Sequence, residues 1–288
     1  MSNKIHFKKK SGASYIDVYA DSSIFESGAN GGFVQKGYDA SSSGLGAVAV
    51  GYCTIASGEY SHSEGYNSIA TGGCTHAEGD STKAIGLRSH TEGYYTTASG
   101  NYSHAEGYGT TASGLASHSE GYNTKATANQ SHAEGYNTTA SGNYSHAEGY
   151  GTESSGERSH AEGNSTIASG LASHAEGYDT TASGKGAHAE GISTTALNSY
   201  EHAQGRYNKS NKASTTFGDA GNTIHSVGIG TSGNNKKNAF EIMQNGLVFI
   251  IGVNGYDGTN PDKTRSIQAA FESLNIPVDW TKLGYPSE

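Results

Sequence analysis

The sequence has little of what builds an ordinary globular interior. Its 288 residues include one tryptophan, two methionines, two cysteines and three prolines, and apolar residues make up only 33%. That shortage excludes a core of large aliphatic side chains. No apolar run approaches the roughly 18 residues of a membrane-spanning helix, so no membrane insertion is expected. The opening MSNKIHFKKK has no apolar stretch of the kind a secretory signal peptide needs, and assembly in a bacterial cytoplasm is expected. Basic residues are outnumbered, 18 to 27, giving a net charge of −9, with Lys4, Lys8, Lys9 and Lys10 gathered near the N-terminus. A nucleic-acid-binding surface needs a basic stripe, so no nucleic-acid partner is expected. Cys53 and Cys74 fall half a repeat apart in phase, on opposite sides of a coil. That geometry argues against a disulfide and for free, buried thiols.

What the chain does have is glycine, 42 residues of it, and a rhythm. His62, His76, His90, His104, His118, His132, His146, His160, His174, His188 and His202 follow one another at a constant interval of 14. Two positions after each stands Glu64, Glu78, Glu92, Glu106, Glu120, Glu134, Glu148, Glu162, Glu176 or Glu190, with Gln204 in the final copy, and a glycine follows each of these. Disordered low-complexity chains drift in register, and this one does not. Catalytic sites do not come in equal serial copies, so the period is architecture.

Each unit divides into two halves that read small-x-small-x-Gly. Ser103-His104-Ala105-Glu106-Gly107 is one such half and Thr110-Thr111-Ala112-Ser113-Gly114 another. Side chains alternate across a strand, so Ser103 and Ala105 share one face while His104 and Glu106 share the other. Alanine, serine and threonine suit only a thin interior, so two short strands fold back on each other into a flattened coil. The glycines mark bends that need positive φ or close backbone approach. Parallel stacking of like strands adds roughly 4.8 Å per coil, and about eleven coils make a rod of roughly 50 Å. The position after the first glycine is Tyr66, Tyr94, Tyr108, Tyr122, Tyr136, Tyr150 or Tyr178 in seven copies. These form a surface aromatic strip, either for contact with a glycan or surface, or simply to shield a corner.

The pattern S-x-A-x-G-x-x-[ST]-x-A-x-G, running through residues 44–212, resembles the head repeat of trimeric autotransporter adhesins. The resemblance implies an all-β fold, a left-handed parallel β-roll or solenoid with 14-residue coils, assembled as a homotrimer. In that family the two x positions of the first half are apolar and face the neighbouring chains. Here Val48 and Val50 keep that character in one coil, and His and Glu replace them in the others. The histidines from His62 to His202 and the glutamates from Glu64 to Glu190 are therefore candidates for a polar seam between chains. Two other readings stand beside that one. The ladder is a solvent-exposed face that keeps the rod soluble, or it binds metal, imidazole being a ligand for Zn, Ni or Cu. Structural zinc requires four defined ligands, whereas H-x-E supplies two per chain, so no metal site and no cofactor is expected.

Three segments follow from these patterns: an N-terminal cap or attachment segment over 1–43, the β-roll over 44–212, and a β-rich trimerisation or cap region over 213–288. In the first, Tyr15–Tyr19 alternates as a strand. In the last, Val227–Gly230 and Asn238–Ile250 read as strands with a tight turn at Asn245-Gly246. Asn260-Pro261 looks like a helix start, and Ile267, Phe271 and Leu274 form the stripe of a short helix over about 261–275. The stretch NAFEIMQNGLVFI is similar to segments of tail-fibre-like proteins of phages and prophages. The expected function is structural: a trimeric phage or prophage tail fibre that attaches to a host-cell receptor or glycan, located in the virion with other tail or fibre proteins. The alternatives are a bacterial surface adhesin head binding matrix protein or glycan, and an ice- or surface-binding solenoid. No nucleophile–base constellation is present, and an enzyme is not expected.

Overall fold

A computed structural model describes residues 6–11, 14–19, 25–35, 39–212, 214–259, 261 and 265–275. The chain forms two compact units, residues 1–109 and 110–288. Asn260 and the stretch from Trp280 to Glu288 lie outside the described residues.

In the first unit, His6–Ser11 and Ser14–Tyr19 pair antiparallel. Phe25–Ser27 and Phe33–Gln35 form a second antiparallel pair, and Phe33 then aligns in parallel with Val48. From there the stack is regular. The long strands Val48–Tyr52, His62–Tyr66, His76–Asp80, His90–Tyr94 and His104–Tyr108 lie in parallel, with Val48, His62, His76, His90 and His104 in register. The short strands Ser41–Ser42, Ile55–Ala56, Ile69–Ala70, Lys83–Ala84 and Thr97–Ala98 form the opposite wall.

The second unit repeats the arrangement. Its long strands run from His118–Tyr122 through His202–Arg206 and its short strands from Thr111–Ala112 through Thr195–Ala196, each aligned with its equivalent one coil away. Thr223–Ile229 continues the long-strand wall in parallel, placing His225 beside His202. It also pairs antiparallel with Asn238–Met243, which pairs in turn with Val248–Ile250 across the expected Asn245-Gly246 turn. The fold is thus an all-β parallel solenoid of roughly 14-residue coils. His225 is one more rung of the wall, hidden from the 14-residue count by the inserted segment that precedes it.

The interior is as thin as the composition requires. Ala77, Ala84, Ala98 and Ala105 in the first unit, and Ala133, Ala140, Ala147 and Ala161 in the second, are fully buried. The residue before the histidine, serine in most coils, is buried too, and in several coils its hydroxyl closes the turn by donating to a carbonyl three residues back. Ser61 bonds Gly58 O at 2.8 Å, and Ser159 and Ser173 bond Gly156 O and Gly170 O at 2.7 and 2.8 Å.

The bends differ from the sequence expectation. Each coil has two left-handed corners, and most are not glycine. Tyr60, Tyr102, Tyr144 and Tyr200 sit at φ 54–60°, as do Arg88 at 55° and Arg158 at 58°, while Asn67, Asn123 and Asn137 occupy the other corner. Such a conformation costs a side-chain-bearing residue roughly 1–2 kcal/mol. The offset is a backbone bond from coil to coil, as in Tyr144 N–H to Asn129 O at 2.9 Å. The glycines meet the expectation of positive φ or close approach: those after the glutamates, Gly65 to Gly191, lie at φ 100–110°. Gly149 lies at φ +102° and a Cβ there would run into the carbonyl oxygen of Gly163; Gly142 has ordinary φ, but its Cβ would meet the carbonyl of Gly156.

The last coil changes composition where stacking stops. Asn198 takes the glycine position and Glu201 the serine position. Glu201 is buried, and its Oε2 accepts from the backbone N–H of Leu197 and Asn198, from Asn198 Nδ2 and from Ser210 Oγ, all at 2.8–2.9 Å. Buried Glu241 accepts from Thr223 Oγ1, Asn211 Nδ2 and Tyr256 Oη at 2.6–2.9 Å. This hydrogen-bonded layer covers the open end that an alanine interior cannot close by itself. The helix is shorter than expected, Ile267–Ser273, and its cap is Ser266, whose Oγ accepts from Ala269 N–H. Pro261 lies upstream of it. Phe271 and Leu274 of its apolar stripe remain exposed.

Candidate functional site

Alternation along the long strand, with serine, alanine or threonine inward, places His and Glu outward on the long-strand wall of each unit. In-register stacking then aligns like residues. Imidazole centroids are 4.8, 5.0 and 4.7 Å apart from His62 through His104, with the rings within 8° of parallel. From His118 through His202 the spacing is 4.7–4.8 Å, again within 8°. The column ends at His225, which meets His202 edge-on at 5.1 Å.

The glutamates flank this column on the same wall. His62 and His76 have the carboxylate of their own coil nearest, Glu64 at 3.6 Å and Glu78 at 3.5 Å. From His146 onward the nearest carboxylate belongs to the preceding coil: His160–Glu148 at 3.4 Å, His188–Glu176 at 3.0 Å and His202–Glu190 at 3.4 Å. From His76 to His188 each imidazole thus has one glutamate within its coil and another one coil back; His62 has Val50 behind it and His202 has Gln204 in its own coil. The histidine side chains are 35–39% exposed, so the wall is half-buried by its own stacking. Burial, followed by the adjacent imidazole, holds His62, His118, His132 and His146 below the ordinary histidine pKa. At these four rungs the neutral ring, which stacks without mutual repulsion, is favoured.

Groups of three ligand-bearing side chains occur along the wall: Glu64–His76–Glu78, Glu120–His132–Glu134, His160–Glu162–His174 and His174–Glu176–His188, each with its ligand atoms within 4.8 Å of one another. A count of ligands within one H-x-E triplet misses these, because the third ligand comes from the neighbouring coil.

The predicted tyrosine strip is present and exposed. Tyr66 stacks on Tyr52 at 5.3 Å, Tyr94 on Tyr108 at 5.0 Å, and Tyr136 on both Tyr122 and Tyr150 at 4.9 Å. The stacked rings cover one another's faces, so this column presents ring edges and hydroxyls outward. Tyr178 has Asn164 and Ile192 as its strand neighbours instead. A second tyrosine set, absent from the sequence reading, occupies left-handed corners. There Arg88 lies over Tyr102 at 5.5 Å and donates to its hydroxyl at 2.9 Å, and Arg158 lies over Tyr144 at 5.8 Å. Its position two residues before the histidine was the available signal. Both cysteines also lie at left-handed corners. They are free as expected, but neither is buried: Cys74 is exposed and Cys53 half-buried.

No curated protein matches the chain. The family described as YadA head domain repeat matches residues 54–73, 77–103, 92–117, 133–152 and 175–197. Every matched stretch lies in the stacked coils. Over these stretches the coils of this protein are similar to the YadA head domain repeat.

Proposed function

We propose that this chain is the head-type segment of a trimeric surface attachment protein, displayed at the cell surface and binding a matrix protein or glycan. The observation that carries this reading is the family match, which falls on coils built as the repeat requires, with small residues inside and two outward positions per long strand. The histidine–glutamate wall is the face assigned to the sister chains. Two features support that assignment. Val48 and Val50 align in register with His62 and Glu64, so an apolar rung opens the same wall. The wall also carries no lysine or arginine at the histidine and glutamate positions, which suits contact among identical chains more than a freely solvated surface. In this reading the tyrosine edges and the corner residues face outward for the ligand, and no chemical step is required of any residue.

A phage or prophage tail fibre remains the second reading, favoured by the antiparallel strands Asn238–Met243 and Val248–Ile250 that follow the coils. The two readings share the trimer and differ in target. Sedimentation equilibrium is expected to give three times the chain mass of 29.7 kDa. Matrix-protein and glycan arrays probed with the trimer, beside whole bacterial cells, then separate the readings. Binding to matrix or glycan supports the adhesin, binding to bacterial surfaces alone supports the fibre, and a stable monomer sinks both.

A further inference from the structure

We infer that the wall is a serial binding site for divalent transition-metal cations, each held by a single histidine nitrogen and by carboxylates from two successive coils. The clearest instances are Glu64–His76–Glu78 and Glu120–His132–Glu134. This inference goes beyond the attachment function and does not depend on it.

The geometry selects the ligand set. Nε2 of His76 lies 3.5 Å from Glu78 Oε2, and Nε2 of His132 lies 3.9 Å from Glu134 Oε2. Ligands about 2.0–2.2 Å from a tetrahedral zinc-like ion are separated by roughly 3.3–3.5 Å, so a small carboxylate rotation closes the set. Two imidazoles do not share one ion. The rings of His62, His76 and His90 are parallel and 4.8–5.0 Å apart, so their in-plane lone pairs run side by side and do not converge. The separation also exceeds the roughly 4.2 Å that two opposed ligands at such bond lengths can span. One nitrogen and two oxygens therefore meet each ion, leaving further positions for water or for a side chain of another copy.

Two further observations agree. The Nε2 atoms of His76, His90, His132, His146 and His160 are shielded from solvent and have no hydrogen-bond partner, so the ligand atoms are not committed elsewhere. The wall also carries a carboxylate in each rung from Glu64 to Glu190, with no lysine or arginine at the histidine and glutamate positions, and one divalent cation between two successive carboxylates offsets their two negative charges. Mixed nitrogen and oxygen donors favour copper, nickel, cobalt or zinc over magnesium or calcium, which prefer oxygen alone.

The test uses the full chain in its native assembly, free of any affinity tag and of metal. Calorimetric titration with Cu²⁺ and Ni²⁺ is expected to show several equivalents bound per chain, with Mg²⁺ giving no uptake. Electron paramagnetic resonance of the copper form is expected to show hyperfine structure from one imidazole nitrogen per ion. The variant Glu64→Gln, Glu78→Gln, Glu120→Gln, Glu134→Gln keeps every histidine. It is expected to lose at least the equivalents held at His76 and His132, with its circular dichroism unchanged. Absence of uptake, two nitrogens per copper ion, or a variant that binds as many equivalents as the parent would overturn the inference. Should the variant fail to fold, the nitrogen count on the parent decides.

Discussion

Ala133 shows how little room a coil leaves. It is fully buried, clustered with Ala126, Ala140 and Ala147, and the coils above and below allow no outward shift of its strand. Overpacking a core by added methylenes typically costs 1–3 kcal/mol. Ala133→Leu, which adds an isopropyl-sized bulk between strands of fixed spacing, is expected at or above the top of that range, read as a lowered urea midpoint. An unchanged midpoint would mean that the interior is not where the alanines lie. Glu201 carries a residue-scale prediction of a different kind. Burial pushes its carboxyl up from 4.5 to about 7, against the hydrogen bonds from Asn198, Ser210 and Leu197 that favour the charged form. Between those values the unfolded chain releases a proton that the folded chain retains. Stability contributed by this group is therefore fully present below about pH 4.5 and lost as pH rises through 7, by about 3 kcal/mol in all. Glu201→Gln keeps an acceptor for the Asn198 and Leu197 N–H groups and has no proton to lose. The difference in stability between parent and variant should fall from pH 4.5 to 7 and then level off; a difference independent of pH refutes the assignment. Taking the difference also removes the opposite slope contributed by the lowered histidines.

At the scale of the coil, what the sequence reveals depends on which physical constraint acts. Register was legible because nothing is inserted between His62 and His202, and because alternation forces Ser103 and Ala105 inward once His104 and Glu106 point outward. The corners were not legible. Left-handed backbone at Tyr102, Arg158 and Asn137 is imposed by coil-to-coil hydrogen bonds, and no local propensity announces it, since tyrosine and arginine ordinarily avoid that region. His225 was missed because its rung follows an insertion. The third metal-ligand candidate was missed because adjacency across coils does not exist along the chain. The helix start was misplaced for a local reason: Asn260-Pro261 has the composition of a cap, while Ser266 supplies the actual hydrogen bond to Ala269. Coil equivalence itself makes a prediction. Deleting residues 132–145 brings His146 into register with His118 and leaves every inward residue inward. In a stack where each repeat contacts only its neighbours, that variant is expected to fold with the same circular dichroism per residue and a modest loss of stability. Deleting 132–138 alone moves the second half of a coil against the first half of the next, and is expected to give insoluble protein. Equal behaviour of the two deletions, followed by melting and solubility, would contradict a 14-residue structural unit.

For the molecule as a whole, the open question is what the wall faces. Half-buried carboxylates at one per rung are an unusual choice for a face that touches only water, because solvent asks for no particular residue in copy after copy. They are also an unusual choice for stability, since well-packed apolar residues in place of a buried ion pair are often neutral or better by 1–4 kcal/mol. What a polar seam provides is registration: identical chains with a feature at every rung tolerate sliding poorly when each carboxylate must meet an imidazole. Val48 and Val50 supply the internal control, an apolar rung on the same wall. Converting His132, Glu134, His146 and Glu148 to valine extends that rung. If the wall meets sister chains, the variant is expected to remain trimeric by sedimentation and to melt at or above the temperature of the parent, the apolar burial offsetting the lost polar contacts. If the wall faces solvent, the same change creates an exposed patch of four valines, and concentration-dependent aggregation with lowered solubility is the expected outcome. The two results are opposite in sign, so a single centrifugation series with a thermal melt decides which surface of the solenoid is the seam.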